Sequence, residues 1–251
     1  MNEIEVHMKF DKVRNIESLS IKIYADGADK KDILELYKNP YIKGFTTNPS
    51  LMKKAGITNY ESFAKEILSE IHDRDISFEI FADDIDGMRR QAKLISAWGR
   101  NVYVKIPVMN SKGEPTYSLI SDLSKDGVKL NITAVYTIDQ TRDIVLSLKE
   151  STPAVISVFA GRMADVGNDP IPCITASSAL VSMRKNTELL WASTREVYNI
   201  YQANDLGCQI ITVPRDVLNK LSGVGKVTPL QQSLDTVKIF LEDAQKAGYS
   251  L

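Results

Sequence analysis

Short runs in which apolar and polar residues alternate take turns with longer stretches whose apolar residues recur three and four positions apart. Ile21, Ile23 and Ala25 alternate with Lys22, Tyr24 and Asp26, and a period of two is that of a strand. Asp29 then stands where an N-cap belongs, ahead of Ile33, Leu34, Leu36 and Tyr37 at helical spacing. Gly44 to Asn48 reads as a second short strand, stopped by Pro49, which has no N–H to give a ladder. Phe63, Ile67, Leu68 and Ile71 predict a helix over 59–71, with His72 at its end. The same alternation predicts strands at 76–81, 102–107, 129–134, 154–159, 188–193 and 208–213. Helices are expected at 84–98, 116–125, 139–148, 174–185 (after a Gly/Pro/Asp-rich loop), 195–204, 214–221 and 229–246.

Eight strands, each followed by a helical stretch, predict an α/β chain folded as a single (β/α)8 TIM barrel. The barrel, the catalytic domain, is expected over 21–251 with an extra C-terminal helix, and the weakly patterned residues 1–20 read as an N-terminal arm. The strands end at 26, 48, 79, 105, 133, 159, 193 and 213, a step of about 27 residues, which is the scale of one βα unit. A length of 251 residues suits such a barrel without a second domain. A doubly wound open sheet is the architectural alternative, but it normally carries a phosphate-binding loop. The nearest stretch, Gly223-Val-Gly-Lys-Val-Thr228, is too short for a Walker A loop and does not follow a strand directly.

The alternation also sorts the side chains of each strand. In Asn101-Val-Tyr-Val-Lys-Ile-Pro107, Val102, Val104 and Ile106 share one face and Lys105 sits on the other. Leu130 and Ile132 oppose Asn131 and Thr133; Phe78 and Ile80 oppose Ser77 and Glu79; Ile156 and Val158 oppose Ser157 and Phe159. In a barrel the aliphatic set faces the helices and the other set faces inward. The interior is then expected to hold Asp26, Asn48, Glu79, Lys105, Asn131, Thr133, Ser157 and Ser193, near the strand C-termini where barrel enzymes keep their active sites. Burying so many polar groups is costly unless they satisfy one another and a ligand. Singly, each has an ordinary explanation: Lys105 as a guard on an edge strand, Asp26 or Ser193 as a helix cap, Asn48 in an Asx-turn, Glu79 as a structural partner of Lys105. Together, a lysine among two carboxylates and several hydroxyl and amide groups suits Schiff-base chemistry on a polyhydroxylated carbonyl compound.

Composition narrows the classes. Lys and Arg (31) nearly balance Asp and Glu (32), so no broad basic surface for nucleic acid is implied. The first residues mix charges and hold no apolar run of signal-peptide or membrane-span length, so a cytoplasmic protein without a membrane partner is expected. Cys173 and Cys208 lack a partner motif and read as buried, reduced thiols, and His7 and His72, far from either, argue against a zinc site. Asp83, Asp84 and Asp86 offer a metal-dependent alternative, but the run lacks the full calcium-loop pattern and suits a helix cap. No metal or other cofactor is expected.

Thr46-Thr-Asn-Pro-Ser-Leu51, Val104-Lys-Ile-Pro107, Asn131-Ile-Thr133, Gly161-Arg162 and Ala192-Ser-Thr-Arg195 occur in the order and at about the spacing found in the transaldolases, class I aldolases on a (β/α)8 barrel. The chain resembles that family from Ile21 to its C-terminal helix. The resemblance implies transfer of a dihydroxyacetone unit from a ketose phosphate, fructose 6-phosphate or sedoheptulose 7-phosphate, to an aldose phosphate, as in the pentose phosphate pathway. It implies that Lys105 forms the Schiff base at C2 and that Asp26 takes the C4 hydroxyl proton as the C3–C4 bond breaks. Glu79 and Thr133 would hold a proton-relaying water, and Asn48, Asn131 and Ser157 the hydroxyls of the bound three-carbon unit. Arg162, Ser193 and Arg195 would receive the phosphate, which guanidinium groups bind bidentately and a helix N-terminus attracts. A free lysine, pKa ~10.4, is protonated at neutral pH and must lose a proton before it attacks. An anionic Glu79 too close to it would oppose that loss, so a water is expected between them.

Glu79 and Phe159 are the residues found in transaldolases, whereas fructose-6-phosphate aldolases carry glutamine and tyrosine there. Phenylalanine has no hydroxyl to assist release of free dihydroxyacetone, so transfer is expected over simple cleavage. The chain departs from the family's leucine-aspartate-threonine-alanine-asparagine at Tyr24-Ala-Asp-Gly-Ala-Asp29, with Asp26 still in register, and Ala160 replaces a common valine. An aldolase releasing dihydroxyacetone and a non-catalytic sugar-phosphate binding protein remain as alternatives. Relatives form ring-like assemblies, so a homo-oligomer is implied, with the C-terminal helix as a contact.

Overall fold

The computed structural model describes residues 16–249. Of the arm expected over 1–20, residues 1–15 lie outside the described residues. Eight strands, β1 (Lys22–Asp26), β2 (Ile42–Thr46), β3 (Asp75–Glu79), β4 (Val102–Pro107), β5 (Leu130–Val135), β6 (Ala154–Val158), β7 (Thr187–Trp191) and β8 (Ile210–Pro214), close into a barrel in chain order. Every neighbouring pair is parallel, and β8 returns to β1. This is the (β/α)8 barrel that the alternation predicts.

The strands are linked through α1 (Lys30–Tyr37), α2 (Pro49–Lys54), α3 (Tyr60–Glu70), α4 (Ile85–Ser96), α5 (Tyr117–Lys125), α6 (Ile138–Ser147), α7 (Ala160–Asp165), α8 (Ile171–Val181) and α9 (Tyr198–Asp205), with α10 (Arg215–Lys220) and α11 (Pro229–Lys246) following β8. Local sequence explains the starts. Asp29, Asn59 and Asp84 each accept a hydrogen bond from a first-turn N–H of α1, α3 and α4, and Thr137 with Gln140 forms a capping box on α6.

Two helices go beyond the sequence reading. Pro49 does follow the end of β2, but it also opens α2: Asn48 accepts from Leu51 N, and a proline at the first helical position gives up only an N–H that has no intrahelical partner. The short α7 rises directly from Phe159 within the stretch read as loop. In addition, β7 stops at Trp191 and α9 starts only at Tyr198, so Ser193 and Arg195 lie on the loop between them.

Ile76, Phe78, Val104, Ile106, Leu130, Ile132 and Ile156, on the outward faces of the strands, are fully buried. Each such side chain stabilises by about 1.5–3 kcal/mol. The inward faces are divided between two kinds of residue. Tyr24, Tyr103, Val155, Leu190 and Ile210 pack into an apolar floor. Two residues farther along the same strands or just past their ends come Asp26, Lys105, Ser157, Ala192 and Thr212, so the polar groups gather toward the strand C-termini. Tyr24 lies so close over Gly44 that a Cβ there would meet its ring at 2.5 Å, and its hydroxyl donates to Asp75 Oδ2 at 3.1 Å.

Ser20–Leu218 forms one compact unit, which holds the barrel. The described residues of the second unit are 16–19 and 219–249. In it α11 is capped by Thr228, which accepts from Gln231 N, and Leu230, Leu234, Val237 and Leu241 recur at helical spacing as exposed residues. Among the described residues no helix is long and apolar enough to cross a membrane.

Candidate active site

The strand pleat brings Asp26, Glu79, Lys105, Asn131, Thr133 and Ser157 to one end of the barrel. Glu79 is the register partner of Lys105, and Lys105 of Asn131, so three successive strands present these side chains side by side. They line a cavity of about 370 Å³ that also takes in Asn48, Phe159, Arg162, Ser193 and Arg195. All eleven candidate residues therefore meet in one place, in a volume suited to a small molecule.

Lys105 is 7% exposed. Its Nζ donates to Thr47 O at 2.9 Å and stands 3.2 Å from Glu79 Oε2. That contact is direct, in place of the intervening water expected from the sequence, because the parallel register sets both residues side by side on the inner face. Glu79 is itself held from outside the barrel. The Tyr60 hydroxyl of α3 accepts from Glu79 N at 2.6 Å and donates to Glu79 O at 3.0 Å. The β2–β3 register extends only to Thr46 opposite Ser77, so the tyrosine satisfies backbone groups past the end of that pairing. Its ring packs edge-on against Phe78, Phe81 and Trp98, and burial pushes its hydroxyl pKa above the usual range.

Asp26 accepts at Oδ1 from Thr46 Oγ1 at 2.8 Å, and Thr46 Oγ1 is 2.5 Å from Thr212 Oγ1. Burial pushes the Asp26 carboxyl above its usual range, against the pull of the Lys105 charge and the Thr46 hydrogen bond. Asn131 and Ser157 are bonded to each other, Ser157 Oγ donating to Asn131 Oδ1 at 2.6 Å, while Asn131 Nδ2 donates to Ser77 Oγ at 3.0 Å. Thr133 Oγ1 differs: it is buried, belongs to a cavity-lining residue, and has no hydrogen-bond partner. An orphan hydroxyl in such a place calls for a water or a ligand.

At the rim the backbone contributes as much as the side chains do. Ser193 adopts φ 67, in the left-handed region, and its carbonyl oxygen lies 1.6 Å from where a Cβ of residue 161 would stand. Only glycine fits at 161. Ala134, at φ 59, follows Thr133 where the β5–β6 register shifts, a bulge beside the cavity. Arg162 lies over the Phe159 ring at 5.2 Å. Arg195 makes a surface ion pair: Nε is 3.0 Å from both Asp165 oxygens and Nη2 is 2.5 Å from one. These bonds hold the Asp165 carboxyl below its usual range. Arg195 nevertheless lines the cavity.

The sequence reading gives no role to Thr46, Thr212 or Tyr60. Threonine is unremarked on a strand, yet the same period of two sets Thr46 and Thr212 on the inner face of β2 and β8. Nothing local signals the destination of the Tyr60 hydroxyl. The acidic run after β3 is engaged elsewhere: Asp84 caps α4, and Asp83 accepts from Ser111 N and Oγ at 2.7 and 2.6 Å. Among the described residues no three His, Cys, Asp or Glu side chains are grouped to hold a metal ion.

The sequence model of the Transaldolase/Fructose-6-phosphate aldolase family matches residues 23–251. A protein of Dehalococcoides mccartyi named probable transaldolase is 35% identical over 205 residues, covering 80% of this chain and 90% of its own. A probable transaldolase of Thermoanaerobacter sp. is 33% identical over 235 residues, 92% of this chain and all of its own. Another from Porphyromonas gingivalis is 32% identical over 231 residues, covering 91% and 99%. With a match that runs through barrel and C-terminal helix alike, the chain belongs to the transaldolase/fructose-6-phosphate aldolase family.

Proposed function

We propose that the protein is a transaldolase. It moves a dihydroxyacetone unit from a ketose phosphate, fructose 6-phosphate or sedoheptulose 7-phosphate, to an aldose phosphate through a Schiff base on Lys105. The observation that carries this reading is a buried lysine amine 3.2 Å from Glu79 Oε2 in the same cavity as the carboxyl of Asp26.

An ammonium ion has no lone pair with which to attack, so Lys105 first needs a proton acceptor, and Glu79 is in contact with it. The orphan hydroxyl of Thr133 is placed to hold the water that carries protons as the carbinolamine forms and dehydrates. Once Nζ is bonded to C2, the iminium draws the C3–C4 electron pair while Asp26 takes the C4 hydroxyl proton, a step for which a general base contributes about 10²–10⁴-fold. Asn131 and Ser157 hold the hydroxyls with the valences that their mutual bond leaves, and Asn48 with those left by its cap on Leu51 N. Arg162, Ser193 and Arg195 take the phosphate, Arg195 with the N–H groups that Asp165 leaves unused. Phe159, packed against Tyr136 and beneath Arg162, offers no hydroxyl to the enamine, which favours transfer to an aldehyde over release.

Such a reaction places the protein in the pentose phosphate pathway of the cytoplasm. The exposed apolar residues of α11 suit self-association, for which light scattering would return a mass above 28.0 kDa. The decisive experiment is borohydride reduction in the presence of fructose 6-phosphate followed by peptide mapping. The adduct is expected on Lys105 and absent from Lys105→Met; no adduct in the unsubstituted protein overturns the reading. Turnover of fructose 6-phosphate that does not depend on erythrose 4-phosphate would make the enzyme an aldolase instead.

A further inference from the structure

Asp26 does not offer its two carboxylate oxygens equally. On β1 it accepts from Thr46 of β2 at Oδ1, and the Thr46 hydroxyl touches that of Thr212 on β8. β1 lies between β2 and β8, so the two threonine hydroxyls meet across the inner face of β1, and the three groups form a row of contacts that ends on Asp26. Both threonines are buried, and all three residues line the cavity.

Counting protons gives the row a direction. A hydroxyl carries one hydrogen and two lone pairs. With Asp26 ionised, Thr46 must place its hydrogen on Oδ1, because an oxygen lone pair at 2.8 Å from a carboxylate oxygen is repelled. Thr46 then has no hydrogen left for Thr212, and the 2.5 Å contact requires Thr212 to donate to Thr46. Two hydroxyl dipoles point the same way, toward one oxygen of one carboxylate.

We propose that Thr212 is a positioning residue for the base: through Thr46 it fixes a hydrogen bond on Asp26 Oδ1 and leaves Oδ2 as the atom that receives the C4 hydroxyl proton. The proposal rests on the reading of Asp26 as the base of carbon–carbon cleavage. In that step the proton passes from the C4 oxygen to Oδ2, the C3–C4 pair moves into the iminium, C4 becomes an aldehyde carbon, and Thr46 keeps its hydrogen throughout. The charged groups that act on Asp26 are Lys105 from β4, which favours the carboxylate, and Glu79 from β3, which opposes it. The hydroxyl row works on the side of Lys105.

The test is the pH dependence of kcat/KM, with fructose 6-phosphate and erythrose 4-phosphate, in Thr212→Val, Thr46→Val and the double variant. Thr46→Val deletes a hydrogen bond to a charged group and is expected to raise the acid limb by about 1 pH unit, tenfold in proton affinity. Thr212 acts one bond farther away, where polarisation contributes about 10–30% per bond, so Thr212→Val is expected to raise the limb by about 0.3 unit, roughly twofold. Thr212→Ser, which keeps the hydroxyl, should bring it back. In the Thr46→Val background, Thr212→Val should move it no further, the mark of two residues acting through one contact. An acid limb unmoved by Thr212→Val, or moved equally in both backgrounds, overturns the proposal. Borohydride trapping on Lys105 tests the underlying reading separately, since Schiff-base formation does not use Asp26: an absent adduct in the unsubstituted protein sinks that reading. If Thr212→Val does not fold, Thr212→Ala carries the same comparison.

Discussion

Gly161→Ala probes how the rim of the cavity is built. The added methyl carbon would stand 1.6 Å from Ser193 O and 2.7 Å from Ser193 C, both backbone atoms. Unbonded carbon and oxygen rarely approach closer than about 3.3 Å, so the two segments would have to part by roughly 1.7 Å. Ser193 has little room to yield, because its left-handed backbone at φ 67 is already uncommon, and Gly161 N is bonded to Ala192 O beside it. Overpacking without backbone conflict costs about 1–3 kcal/mol, and this case sits at the upper end or above it. A loss of about 3 kcal/mol lowers Tm by about 6–12 °C in a chain of this size. The assays are thermal unfolding by circular dichroism and the KM for fructose 6-phosphate, with borohydride trapping of unphosphorylated dihydroxyacetone as the control. The expected result is a lower Tm, a KM raised about tenfold, and trapping retained, because the displaced residues are the ones proposed to receive the phosphate and not the amine. A variant with the parent Tm and KM would refute the placement of the Ser193 carbonyl against residue 161.

Three further outcomes follow from groups already described. Tyr60→Phe keeps the ring against Phe78 and Trp98 but strips two backbone groups of Glu79 of their shared hydroxyl partner; urea unfolding should show a loss of about 1–3 kcal/mol together with slower Schiff-base trapping, and unchanged trapping would separate Tyr60 from the site. Asp26 has a folded pKa raised above its unfolded value by burial, so its contribution to stability is present below the ordinary carboxylate range and is lost as pH rises through the folded pKa. Asp26→Asn, which keeps an acceptor for Thr46, should therefore raise Tm at pH 8 relative to the parent and not at pH 3, while abolishing cleavage; equal Tm at both would contradict the sign. Burial pushes the Cys208 thiol up to about 12 and raises that of Cys173 as well, so neither should react with a thiol reagent until the chain unfolds, and fast labelling of the native protein would contradict their burial.

Most of the barrel was legible because a strand with one buried face must alternate. The stretch 102–107 is a strand from end to end, and the placement of Lys105 on its inner face follows from the pleat alone. The pleat could not deliver residues that lie off the strands. Asn48 reaches the cavity as a helix cap and Ser193 through a left-handed turn, so each arrived by a route other than the one alternation suggests. α2 escaped notice because Asn-Pro serves equally as the end of a strand and as cap plus first residue of a helix. α7, at six residues with a glycine among them, is too short to show a period. Distances were beyond reach altogether: the alternation sets Lys105 and Glu79 on one face, but only the parallel register brings them into contact without a water. Tyr60 was invisible for a related reason, since its hydroxyl serves a strand reached only by tertiary folding.

The packed floor of Tyr24, Tyr103, Val155, Leu190 and Ile210 makes the chamber above it blind. Nothing that comes in past the strand C-termini can pass through to the other end of the barrel. Under the proposed group transfer this sets an order: the aldehyde cut from the donor leaves past the strand C-termini before the acceptor approaches the carbon held on Lys105. On that reading the two half-reactions would alternate, and each aldehyde would compete with the other for the waiting carbon.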